Sequence, residues 1–102
     1  MHVLVIDGAT RAISSVALPD GLAGLKRLIG QDSVDFDSLA SGDRFYFDES
    51  CFLRPQAGAG RFQLDVLAPV SGIGVVVGSD AAGTLAAPQL SAEALTARVK
   101  FL

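Results

Sequence analysis

The chain has 102 residues, half of them hydrophobic and 19% charged, with eight Lys and Arg against eleven Asp and Glu for a net charge of −3. That length suits a single domain over residues 1–102, and the apolar content argues against intrinsic disorder. The acidic balance argues against nucleic acid as a partner, because phosphate contacts need a basic footprint.

Taken in chain order, Val3 to Ile6 is a compact apolar run that stops at the turn pair Asp7-Gly8, and Arg11 to Leu18 carries β-branched Ile13 and Val16. The two predict a hairpin with a loop around Asp7 to Thr10, ended by Pro19. Asp20 is placed to cap a helix over Gly21 to Ile29, with Leu22, Leu25, Leu28 and Ile29 on one face and Gly30 as its left-handed end. Ser33 to Leu39 alternates as a half-buried strand. It turns at Ser41-Gly42-Asp43 into Arg44 to Asp48, with Phe45 and Phe47 on one face and Tyr46 on the other. Residues 48–61 are irregular, broken by Pro55 and Gly58-Ala59-Gly60. Phe62 to Leu67 is a short strand that Pro69 stops.

The most apolar, β-branched stretch is Val70 to Asp80. Ile73, Val75, Val76 and Val77 show no polar alternation, so this predicts one central strand, covered on both faces, on which the other elements pair. Thr84 to Ala87 is a brief edge strand before Pro88. Ser91 caps a C-terminal helix in which Leu95, Val99 and Leu102 recur at helical spacing, with Arg98 and Lys100 near its negative end.

The order of these features resembles the DUF3846 family, small proteins of unknown function from phages, plasmids and their bacterial hosts. The likeness rests on the N-terminal strand pair, Gly21-Leu-x-x-Leu-x-x-Leu-Ile-Gly30, Phe45-Tyr-Phe-Asp-Glu49, the irregular glycine-containing loop, and Ser71-Gly-Ile-Gly-Val-Val-Val-Gly-Ser-Asp80 with Gly83 before a last helix. It implies an accessory protein of mobile-element origin and supplies no activity, cofactor or catalytic residue.

Few groups could carry chemistry. The glycines at 72, 74 and 78 precede and punctuate a strand, whereas a phosphate-cradling loop needs a helix N-terminus after the strand, so they read as close-packing positions. Cys51 is the only cysteine, which rules out an internal disulfide and a thiolate zinc site and fits a reducing compartment. Its neighbours Asp48 and Glu49 disfavour the thiolate, and the sole imidazole, His2, reads as a solvated residue near the start. Asp43, Asp48 and Glu49 do not have the spacing of a calcium loop. Six acids lie between Asp32 and Glu49 (Asp32, Asp35, Asp37, Asp43, Asp48, Glu49) against one base, Arg44. They form either a solvated strand face that deters aggregation or an acidic surface for a basic partner. Arg54 and Arg61, bracketing the glycine loop, are the anion-contacting alternative.

The expected fold is α+β, a mixed, mostly antiparallel sheet with two short helices packed on one face. The N-terminus lacks the basic start and apolar core of a signal peptide, and no run approaches the roughly 18 apolar residues of a membrane span, so a cytoplasmic protein is expected. The first functional expectation is a non-enzymatic interaction or regulatory protein, without cofactor or metal. It would dock another protein through the acidic hairpin or the 48–61 loop, at Asp35, Asp37, Asp43, Asp48, Glu49, Arg54 and Arg61. The alternative is a small ligand-binding domain or enzyme with a pocket under that loop. Edge strands at either hairpin could also pair across a two-fold axis, giving a homodimer.

Overall fold

The computed structural model describes residues 1–18, 21–30, 33–50 and 60–102. In chain order the elements are β1 (His2–Asp7), β2 (Ala12–Ala17), α1 (Gly21–Ile29), β3 (Val34–Ser38), β4 (Arg44–Asp48), β5 (Arg61–Leu64), β6 (Val70–Ser71), β7 (Ile73–Ser79), β8 (Leu85–Ala86), α2 (Ala92–Thr96) and β9 (Val99–Phe101). The fold is mostly antiparallel sheet with two short helices, as expected for the α+β class.

The apolar run supplies the centre of the larger sheet, whose order is β2-β1-β7-β4-β3 with β8 paired to the end of β7. β7 is antiparallel to both neighbours, with Val76 opposite Leu4 of β1 and Val75 opposite Tyr46 of β4. Val75, Val76 and Val77 are fully buried because both faces of β7 are covered. The run is nevertheless two strands rather than one. Gly72 takes φ +86°, a left-handed conformation open to glycine, and there the chain leaves one sheet for the other. β6, before the break, belongs to a smaller sheet of order β6-β5-β9.

Strand alternation divides the core in two. Val3 and Val5 of β1, Val75 and Val77 of β7 and Tyr46 of β4 pack on one face with Leu18 and with Leu25 and Ile29 of α1. Leu4, Ile6, Val76, Phe45 and Phe47 pack on the other with Phe62 and Leu64 of β5, Val70 of β6 and Leu95 of α2. The two helices therefore divide between the faces instead of sharing one. α1 covers one side of the central strands, and the small sheet with α2 covers the other. Phe45, Phe62 and Phe101 carry ring contacts across this second interface, at centroid separations of 5.9 and 6.4 Å.

Local sequence explains the ends of these elements. Asp7 Oδ1 accepts the Ala9 amide at 2.9 Å, an Asx turn that closes the first hairpin. Gly30, at φ +82°, donates its amide to Lys26 O and ends α1, whereas the expected cap Asp20 lies outside the described residues. Ser91 Oγ accepts the Ala94 amide at 3.1 Å and starts α2. That helix stops at Thr96, and Val99 to Phe101, expected as helix, is a strand paired with β5. The expected strand 62–67 is Arg61–Leu64, turned at Leu64 by the Leu67 amide donating to its carbonyl. No described helix is long and apolar enough to cross a membrane.

Candidate functional site

The second hairpin places the candidate site. β3 pairs with β4 in one register, Val34 opposite Asp48 through Ser38 opposite Arg44, and among the described residues it is the outermost strand at its end of the large sheet. The Glu49 amide donates to Ser33 O and the Leu39 amide to Asp43 O, so the bonded pairs fall at odd positions of β3. By alternation the amides of Phe36 and Ser38 point away from β4. Asp35, Phe36, Asp37 and Ser38 are all exposed, so the strand is more open than the half-buried one expected. The outward amide of Phe36 is taken up locally, by Asp35 Oδ1 at 2.8 Å.

The two faces of β3 differ in chemistry. Asp35 and Asp37 share one face. Phe36 lies on the other, the α1 face, where its ring meets Tyr46 at 5.1 Å and the Arg44 guanidinium stacks over it at 4.7 Å. Arg44 Nη1 also donates to the Tyr46 hydroxyl at 3.4 Å, a long bond. Tyr46 is buried, so β4 is covered on both faces rather than alternating between core and solvent.

Two clefts run along this face and share Leu22 and Tyr46 as lining. The smaller, about 370 Å³, lies between α1 and β3 and includes Lys26, Asp35 and Phe36. The larger, about 610 Å³, lies between the start of α1 and the β7–β8 turn, with Met1, Leu18 and Leu85 as apolar walls and Arg44 exposed to it. Of the five exposed large hydrophobic residues described, Met1, Leu22 and Phe36 (46%, 50% and 40% exposed) line these clefts, whereas Val66 and Leu102 lie elsewhere. Such clustering marks an interaction or ligand surface more than scattered exposed residues do. Leu22 was expected on the buried stripe of α1. Leu25 and Ile29 fill the core position, and Leu22, at the first turn, overhangs the cleft instead.

The expected docking residues separate into two groups. Asp35 and Asp37 are exposed together on β3, and Glu49 is exposed just past β4, where it accepts a hydrogen bond from Ser33 Oγ. Asp43 does not join them. It is fully buried, and its carboxylate accepts the amides of Gln89 (2.9 and 3.1 Å) and Leu90 (3.0 Å), tying the segment before α2 to the hairpin turn. Asp48 is also buried, accepting from the amide and hydroxyl of Ser50 at 2.9 and 2.8 Å. Both are structural because backbone and hydroxyl donors already fill their acceptor sites. Arg61 is exposed at the start of β5 in the smaller sheet. Arg54, Cys51 and Asp32 lie outside the described residues, as does most of the expected 48–61 pocket.

Arg44, Tyr46 and Leu22 were legible only as a strand alternation and a helix stripe. No local signal tells that α1 packs beside Tyr46 and leaves a cleft over it. Elsewhere on the surface, Arg98 forms a bidentate pair with Asp65, its Nε at 2.8 Å from Oδ1 and its Nη2 on Oδ2. That hydrogen bond holds the Asp65 carboxyl below its usual range and raises Arg98. Among the described residues no three His, Cys, Asp or Glu side chains gather as a metal site. Comparison with protein-family models, with curated proteins and with solved structures finds no match to this chain.

Proposed function

We propose that this is a non-enzymatic interaction protein, of the accessory, mobile-element kind that its resemblance to DUF3846 implies, acting in the cytoplasm. It docks a partner protein along the outer edge of β3. The observation that carries the reading is the open edge itself, exposed from Asp35 to Ser38, with Asp35 and Asp37 along it and a cleft beside it that Leu22, Phe36 and Lys26 line. An added strand would take its main-chain bonds from Ser38 and from Phe36, whose amide must first leave Asp35 Oδ1, and alternate side chains would give specificity. Complementarity then sets the partner's chemistry: an extended segment alternating apolar residues, for Phe36 and the cleft, with Lys or Arg, for Asp35 and Asp37. A second copy paired antiparallel about Phe36 would set Asp35 against Asp37 and is disfavoured by like charge.

The test compares wild type with Asp35→Lys/Asp37→Lys, both shown folded by circular dichroism. Partners captured from host lysate are identified, produced separately and titrated. The expected result is a partner that the variant binds at least about tenfold more weakly, with the Phe36 and Ser38 amides slowed in hydrogen exchange on binding. Equal binding by both proteins, protection confined to other strands, or no specific partner overturns the proposal.

A further inference from the structure

We propose that the larger cleft binds a small amphipathic anion, a carboxylate carrying an aliphatic or aromatic tail. This does not depend on the docking edge of β3. At about 610 Å³ the space lies within the range of small-molecule sites, and Met1, Leu18, Leu22 and Leu85 give it apolar walls. Arg44 is the one lining residue with a charged side chain. Among the described residues no carboxylate lies within ion-pair distance of it, although the chain carries more acids than bases.

The geometry of Arg44 suits a carboxylate. Its guanidinium lies over the Phe36 ring, with the central carbon 4.7 Å from the centroid, and one nitrogen reaches the Tyr46 hydroxyl at 3.4 Å, contacts that orient it before any ligand arrives. The guanidinium N–H groups not turned to Tyr46 are left for contact with the two oxygens of a carboxylate. The Nη2 atom lies toward the β7–β8 turn, 3.7 Å from where a side chain at Gly83 would begin, which places that turn beside the guanidinium. Thr84 lines the same side and offers a hydroxyl. α1 begins at this cleft with Gly21 and Leu22, which adds the positive end of its dipole. A cationic tail is excluded by the same groups, so the basic segment suited to β3 does not fit here.

Octanoate, octan-1-ol and acetate serve as probes, titrated into the ¹⁵N-labelled chain and followed by amide chemical shifts. Octanoate is expected to shift the amides of Leu22, Arg44, Gly83 and Thr84 saturably at millimolar concentrations or below. Octanol, with the same tail and no charge, should bind about tenfold more weakly or worse, and acetate should not saturate in that range. Arg44→Gln should lose the preference for octanoate over octanol. Because Arg44 also stacks on Phe36, Thr84→Glu provides a second variant at an exposed position. Its carboxylate should occupy the guanidinium and weaken octanoate by about tenfold. Equal binding of octanoate and octanol, an unchanged preference in Arg44→Gln or Thr84→Glu, or no saturable shift at these four residues would overturn the proposal.

Discussion

Asp43 shows how far a single carboxylate can move from its expected role. Its two oxygens hold the amides of Gln89 and Leu90 in a site closed to water. Removing it leaves two donors without their acceptor. Asp43→Ala should therefore cost about 2–4 kcal/mol, read as a lower urea midpoint with an unchanged slope. The Asp65–Arg98 pair behaves differently. Arg98 lowers the Asp65 pKa in the folded state, so the pair's contribution is present above the unfolded carboxyl's value and lost as pH falls through the folded one. With the paired side chains 25% and 32% exposed, solvent screening keeps that contribution under about 1 kcal/mol. Below about pH 4 the stability gap between wild type and Asp65→Asn should begin to narrow, being smaller at pH 3 than at pH 7 when measured by denaturation.

Within single elements, glycine placement and edge charge set what can change. A side chain at Gly74 of β7 would overlap the Phe45 ring and press on Phe62, both buried. Gly74→Ala should therefore destabilise by about 1–3 kcal/mol through overpacking, despite the better strand propensity of alanine. The edge of β3 gives a prediction of opposite kind. Asp35→Ala/Asp37→Ala removes both carboxylates and frees the Phe36 amide, so β3 should pair between copies and a dimer should appear in sedimentation. The hairpins and α1 were legible because their signals are local: Asp7-Gly8, Ser41-Gly42-Asp43, and leucines at helical spacing closed by Gly30. The C-terminal strand was not. Leu95, Val99 and Leu102 satisfy a helical period, while Val99-Lys100-Phe101 also alternates, and only pairing with β5 decides between them. The break at Gly72 was hidden for a similar reason, since Val70 before it and the β-branched residues from Ile73 to Val77 after it read as one apolar stretch.

At the scale of the whole molecule, two core clusters lie back to back across shared strands, with β1, β4 and β7 contributing side chains to both. Neither layer can lose its packing without exposing those strands. The sole tyrosine, Tyr46, reports the α1 side, whereas far-ultraviolet circular dichroism reports all strands. Their urea transitions should coincide, and a Tyr46 transition preceding the loss of strand signal would show that the α1 layer opens alone. The candidate surface is a product of this layering. Its acidic half could be read from Asp35 and Asp37, but its apolar half needed the placement of a nine-residue helix beside Tyr46, which no neighbouring residues encode.

The central position of β7 also sets a schedule for folding. Leu4 meets Val76 across β1 and β7, a separation of 76 − 4 = 72 residues. During synthesis the first hairpin can close early, yet one long edge of β1 waits unpaired until nearly three-quarters of the chain has emerged. The loop-closure entropy of that late pairing places this domain among slow folders for its size, in the millisecond-to-second range. Until β7 arrives, Val3 to Ile6 is the segment at greatest risk of pairing with another nascent chain.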